Sequence, residues 1–413
     1  MEATCTPQVE FKVVSAGTVS SSREQTSAQL RDLAELSLSA KRCERIILRL
    51  GKQRVAEREA RLEQYENLPL PRQHQAPNDI HRVSWDHRVA VVMVDGGRAQ
   101  LRDQRWGQPR VAGEEKPRWW RESKVSLVAT FCSQPKMFDP LPEVPENLLD
   151  PLWLIPKINE IKAAKGGESA SQQIHQEASR TCADLIKQAD SDAPARWSPE
   201  PQARSVVATF ESYDKLGRLT KAETYHRGFA TAREKAFVAD GHRSNWVLQQ
   251  TYFSDYTPIV DLLHALSYVY QAAQVVAVDM EECWQLCKSW ITWVWEGKVV
   301  RVIDALDRQM GQMTDAACLE TLKTSRGYLY NNRNRMRYDE YRRRGLPITS
   351  ALMESTIKRI NRRIKGTEKF WRDGAEPQLQ LVADKISDTR PLDTFWKNKA
   401  KAQIGKRKSR AKL

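Results

Sequence analysis

Arg342–Trp371 reads RRRGLPITSALMESTIKRINRRIKGTEKFW, and its spacing decides how the rest of the chain is read. Gly345 and Pro347 punctuate a turn, and Thr349 or Ser350 is placed to cap the helix that follows. Nothing breaks a helix from Ala351 to Lys365, where Met353, Ile357, Ile360 and Ile364 form one apolar stripe of helical period. Glu354 is the only acid between Arg342 and Gly366, and it lies among Arg342, Arg343, Arg344, Lys358, Arg359, Arg362 and Arg363. One reading is a surface ion pair with Lys358 one turn on, which stabilises a helix by about 0.2–0.5 kcal/mol. The other is a metal-binding carboxylate on a helix whose basic face holds a polyanion.

Upstream, Arg88–Val94 (RVAVVMV) is a β-branched run that predicts a central strand ending at Asp95-Gly96-Gly97. Ala99–Arg102 and Lys124–Cys132 predict further strands, separated by a loop carrying Trp106, Trp119 and Trp120. Lys235–Val238 predicts a second strand that again ends in Asp-Gly, at Asp240 and Gly241. Ser205–Tyr213 and Arg218–Tyr225 read as a hairpin, Gly228–Lys235 as a short helix and Val247–Phe253 as a strand. Thr257–Val276 reads as one helix with Pro258 in its first turn.

These readings divide the chain. Residues 1–27 form a loose tail, and 28–86 hold a long N-terminal helix ending near Glu66 followed by a Pro-rich linker. Residues 87–277 carry the first part of an α/β core with an insertion at 135–202, itself holding helical runs Leu152–Lys165 and Ser169–Ala189. A helical insertion at 278–345, a final catalytic helix region at 346–390 and a basic, disordered tail at 391–413 complete the chain.

The 413 residues include 66 Lys and Arg against 52 Asp and Glu, a formal charge of +14 that calls for an acidic partner. Nucleic acid is the first candidate and an anionic membrane surface the second. No segment approaches the length of an apolar membrane span, and the N-terminus lacks the pattern of a signal peptide. The seven cysteines are scattered, which fits a reducing cytoplasm, and Cys283 and Cys287 read as buried thiols on one helix face.

Two strand ends bearing Asp and a helix bearing Glu are the parts that two-metal phosphoryl transfer needs, because carboxylates on rigid elements can hold two Mg²⁺ ions beside a phosphodiester. Either Asp-Gly alone is also a common turn dipeptide. The segments MVDGGR, ADGHRSNW, DLLHALSYV, YLYNNRNRMRY and RGLPITSALMESTIKRINRRIKGTEKFW together resemble the DDE transposases of bacterial insertion sequences, closest to the ISKra type, with an RNase H-like catalytic core. The resemblance spans about residues 85–385, with Thr349 and Ala351 departing from the small residues usual there.

It implies an α/β, RNase H-like fold with helical insertions behind a long N-terminal helix. Asp95, Asp240 and Glu354 are then the catalytic triad and the ligands of two Mg²⁺ (or Mn²⁺) ions, with Asp95 bridging. Asp261 and His264 line the site or cap and pack a helix, and Trp371 stacks on an extruded base or belongs to the core. Arg333, Arg335, Arg337, Arg342, Arg343, Arg344, Lys358, Arg359, Arg362 and Arg363 hold DNA phosphates, with interleaved tyrosines favouring nucleic acid over plain solvation. The implied partners are the double-stranded DNA of element ends and target, and further copies of the chain, in a bacterial cytoplasm at the nucleoid. Family members usually carry an N-terminal region that recognises element ends, and here only a tail and one helix are expected. The alternatives are therefore an inactive or truncated DNA-binding derivative, or a related RNase H-like nuclease.

Overall fold

The computed structural model describes residues 5–77, 84–102, 119–165, 199–366 and 369–410. Its axis is β1 (Arg88–Leu101), whose Val89–Val94 are each at most 2 % exposed, as a strand covered on both faces requires. β2 (Trp120–Cys132) and β3 (Glu200–Thr209) lie antiparallel on one side of it, and β4 (Glu234–Ala239) and β5 (Thr257–Val260) parallel on the other. The order is β3-β2-β1-β4-β5, and a two-residue β6 (Phe370–Trp371) pairs with the far end of β1. The fold is therefore α/β around a mixed sheet.

The N-terminal expectations need correction. Within the expected loose tail, the described residues are mostly helical: α1 (Pro7–Val19) starts at a Thr6 cap, and α2 (Arg23–Ala34) at a Ser22 cap. The long helix is divided, because Glu35 ends α2 in a left-handed conformation and α3 (Ala40–Glu66) starts afresh at Ser39. A single turn, α4 (Leu70–Gln73), follows.

Further along come α5 (Pro151–Lys165), α6 (Tyr213–His226), α7 (Arg243–Tyr252) and α8 (Leu262–Val276). The helical insertion is α9 (Met280–Trp295), α10 (Val299–Gln312), α11 (Ala316–Asn332) and α12 (Tyr338–Arg343). α13 (Ala351–Ile364), α14 (Ala375–Ile386) and α15 (Pro391–Arg410) end the chain. The expected helix Ser169–Ala189 and Trp106 lie outside the described residues.

Four more expectations change. The hairpin is instead β3 followed by α6, which Ser212 caps. Val247–Phe253 lies mostly within helix α7, whose buried Trp246, Leu248 and Gln249 face the core. Thr257–Val260 is the edge strand β5, and the helix begins only after Asp261. The expected tail from 391 is helical, with Leu392 and Phe395 buried.

Those two side chains explain the N-terminal order. They pack with Leu381 of α14 against Val13 and Val14 of α1, Leu30 of α2, and Cys43, Ile46, Ile47 and Leu50 of α3. Glu10 is buried at this junction and pairs with Arg49 and Lys399, while Arg54 of α3 pairs with Asp384 of α14 at 2.8 Å.

The pleat assigns the two faces of the sheet. Ala90, Val92, Val94 and Gly96 share one face, and Val91, Met93, Asp95 and Gly97 the other. α6 covers the first, where Thr220 meets Ser126 of β2 at 2.5 Å. α13 covers the second with Met353, Ile357, Ile360 and Ile364, the stripe read from the sequence. Asn361 rests on Gly97, where an added Cβ would come within 2.5 Å of its Oδ1. In the insertion, Cys283, Cys287, Trp290 and Trp295 form the buried face of α9.

Candidate active site

β1 does not stop at Asp95. It continues to Leu101, paired with β2 as far as Gln100 and Trp120. What stops there is its parallel neighbour: the β1–β4 pairing ends at Val94 and Ala239, and the β4–β5 pairing at Ala239 and Val260. Asp95, Asp240 and Asp261 are therefore the next residues in register on three adjacent strands. The carboxyl ends of parallel strands are where open α/β sheets place their ligand sites.

Each acid is held differently. Asp95 Oδ1 accepts the Gly96 N–H at 2.7 Å. Asp240 Oδ1 accepts the His242 N–H at 3.0 Å and the Asn245 amide at 2.8 Å, and its backbone oxygen accepts the Tyr328 hydroxyl at 3.0 Å. Tyr328 is in turn stacked on Tyr268 with ring centroids 3.8 Å apart. Gly241, at φ +80°, is needed here twice over, because a Cβ would also lie 2.7 Å from the Tyr328 oxygen.

Asp261 is fully buried and caps α8. Its Oδ1 accepts the His264 N–H at 2.9 Å and faces His264 Nδ1 at 3.0 Å, while its Oδ2 accepts the Ser350 N–H at 2.5 Å and hydroxyl at 2.8 Å. Burial alone would raise this carboxyl, but His264 and the donors of His264 and Ser350 outweigh it and hold it below the usual range.

Glu354 stands in the first turn of α13, directly beyond Ser350. Its Oε1 is buried and has no hydrogen-bond partner among the described residues. Burial raises its pKa, Asp261 raises it further, and His264 and Lys358 oppose the shift. Asp95 is pushed up to about 7, by burial first, then by Asp240 and Glu354, against the Gly96 N–H and His264. Asp95 thus feels both other members of the expected triad, and His264 acts on Asp95 and Glu354 alike. Lys358 pairs with Glu160 of α5.

Among the described residues, no three His, Cys, Asp or Glu side chains converge as a finished metal cage. The donor set nonetheless fits a divalent cation. Asp95, Asp240 and Glu354 offer the hard oxygens such an ion prefers, and among the described residues Glu354 Oε1 is a buried acceptor without a donor.

The basic residues divide into two groups. Arg342 is 1 % exposed, bonded to Asp139 and to the Trp295 carbonyl oxygen, with its guanidinium 4.0 Å from the Trp295 ring centroid. It braces the insertion and cannot meet a phosphate from solvent. Arg363 is also buried and donates to the Gly17 carbonyl oxygen at 3.0 Å. Arg344 pairs with Glu234 at 2.8 Å, and Arg337 with Glu340 at 3.0 Å. Arg337, Arg343, Lys358, Arg359 and Arg362 are exposed, while Arg333 and Arg335 are half-buried over Tyr330 and Trp246. Trp371 donates its indole N–H to the Ile364 carbonyl oxygen at 2.8 Å and packs against the core, closing the end of α13.

Sequence reasoning missed Ser350 as a carboxylate partner, Tyr328 as the support of Asp240, and Glu122 with Tyr213. The Tyr213 hydroxyl donates to Glu122 Oε1 at 3.1 Å, and that carboxylate lies over Gly96. No local signal marks these contacts, because they depend on strand register and on helices far apart in the chain. Comparison with protein-family models and with curated proteins returns no match. Among the described residues, no helix is long and apolar enough to cross a membrane.

Proposed function

We propose that the chain is a DDE transposase with an RNase H-like core, cleaving DNA at the ends of a mobile element and joining the freed ends to a target. The observation that carries this reading is the electrostatic grouping of Asp95, Asp240 and Glu354 where β1 outruns β4, beside a helix with outward cations. When bound, two Mg²⁺ or Mn²⁺ ions would lower the charge on a phosphodiester and on its attacking and leaving oxygens.

The protein residues supply the rest. Asp95, Asp240 and Glu354 would hold the cations, and Asp261 fixes the approach of α13 through Ser350. Lys358, Arg359 and Arg362 lie on the outer side of α13, where they bind the backbone of duplex DNA without reading its sequence. Water first cleaves the strand, and the resulting 3′-hydroxyl then displaces a target 3′-oxygen in line, so one phosphodiester forms as another breaks. No Ser or Tyr nucleophile is needed. Joining two ends implies more than one copy of the chain, acting at the nucleoid of a bacterial cytoplasm.

The test is strand cleavage and joining on DNA from the genomic flanks of the reading frame, with Mg²⁺ or Mn²⁺, comparing the unaltered protein with Glu354→Gln. Activity lost in the variant alone supports the reading. Binding without cleavage by both proteins would leave a non-catalytic DNA-binding derivative.

A further inference from the structure

Between α6 and α7, the helix that follows β4, a cavity of about 280 Å³ opens. Tyr213, Asp214, Arg243, Ser244, Val247 and Tyr252 supply most of its wall. Its volume lies near the lower bound of small-molecule pockets, roughly 300 Å³, which suits one nucleotide unit rather than several.

The walls are built. Gly217 lets the Tyr252 ring lie flat on α6, since a Cβ there would come within 2.4 Å of that ring, and the Tyr252 hydroxyl bonds to Asp214. Opposite, the Tyr213 ring is fixed by its hydroxyl on Glu122 and by the Lys124 ammonium 5.3 Å from its centroid. Arg243 is exposed at the rim, three residues beyond Asp240. Tyr213 also lies within electrostatic reach of the carboxylates: its ionisation is pushed upward by burial first, then by Glu122, Asp240 and Asp95.

Resting on the DNA-cleavage reading above, we infer that this cleft seats one unpaired nucleotide of the strand crossing the carboxylates. Its base lies between Tyr213 and Tyr252, and its phosphate on Arg243. Aromatic faces accept any base, and a single guanidinium fixes the backbone. Free nucleotides share this chemistry, so the test separates the two sources.

The full-length protein, in EDTA, is titrated with a short single-stranded DNA carrying one 2-aminopurine, and its emission and anisotropy are followed. Stacking in the cleft quenches 2-aminopurine. Tyr213→Leu removes one wall, and Val247→Trp fills the cleft from an exposed position without removing a polar group. Both variants should lose the quenching and bind about tenfold more weakly, with unfolding transitions close to that of the unaltered protein. Equal quenching in the unaltered protein and Val247→Trp overturns the cleft assignment, as does tighter binding of free thymidine monophosphate than of the strand. Metal-dependent cleavage with no cleft-dependent quenching would sink this inference alone. Cleft-dependent quenching without cleavage under any metal would sustain it and sink the catalytic reading.

Discussion

Asp261 accepts both the backbone N–H and the hydroxyl of Ser350, 89 positions along the chain, on the same carboxylate oxygen. That contact ties the end of β5 to the first turn of the helix bearing Glu354, so a buried charge sets the height of a neighbouring acid.

Removing the carboxylate strands several buried donors. Asp261→Ala should destabilise the protein by about 3–5 kcal/mol, and Ser350→Ala by about 1 kcal/mol, in urea unfolding. Because the folded carboxyl is held below its unfolded value, its contribution is complete above the unfolded pKa and disappears as pH falls through the folded one. The stability gap between the unaltered protein and Asp261→Asn should therefore close in acid. A gap that stayed constant from neutral to strongly acidic pH would contradict the assignment.

Asp95 behaves in the opposite sense. Its folded pKa is raised from 3.8 to about 7, so the folded state binds a proton that the unfolded chain has released, and stability falls as pH rises across that window. In EDTA, Asp95→Asn should stabilise the protein at pH 8, by on the order of 1–3 kcal/mol, and scarcely at pH 4. Thermal melts at the two pH values decide it, and an equal shift at both would rule the account out.

Divalent cations should reverse that trend. Mn²⁺ at about a hundred times its dissociation constant should raise the unfolding free energy of the unaltered protein by about 2.7 kcal/mol. Glu354→Gln keeps the side-chain shape and removes the charge, so most of that gain should vanish while the metal-free melt is unchanged or slightly higher. Identical Mn²⁺ responses in both proteins would remove Glu354 from the ligand set.

At Gly241 the backbone and a neighbour restrict the residue together. Gly241→Ala should cost roughly 1–3 kcal/mol through strain and push Tyr328 from the Asp240 carbonyl. Tyr328→Phe should cost about 1 kcal/mol. Both should lower cleavage at saturating DNA, and a variant that kept full turnover would show that Tyr328 does not position Asp240.

Two neighbouring arginines should separate cleanly. Arg342→Ala breaks a buried pair and should cost about 3–5 kcal/mol of stability. Arg343→Ala touches an exposed side chain. It should leave the melt unchanged and reduce the salt dependence of DNA binding by about one unit of slope. A stability loss at Arg343 and none at Arg342 would invert the assignment.

What the sequence made legible was local and periodic. The apolar run before Asp95 and the stripe of Met353, Ile357, Ile360 and Ile364 need no distant information, because each pattern is set by strand pleat or helix turn. Val247–Phe253 was misread because Val, Thr, Tyr and Phe favour strands, and only packing through Trp246 and Leu248 selects the helix. The edge strand β5 is four residues long and runs into an apolar helix, so Pro258 looked like a first helical turn. Helix α1 was illegible because Val13 and Val14 are buried by tertiary packing, on α2 and α3 and on Leu381, Leu392 and Phe395 from far along the chain. The depth of Arg342 was equally hidden among five exposed or half-exposed arginines nearby.

The shared packing of α1 with α14 and α15 has a consequence for synthesis. Val13 and Val14 are made long before Leu381, Leu392 and Phe395, with which they share a core cluster. The part of α1 that α14 and α15 cover must stay open until those later helices are made, with Glu10 waiting for Lys399. Chains interrupted before α14 would then leave that part of the α1 face open to chaperones and proteases, so the making of α14 and α15 gates closure of this cluster.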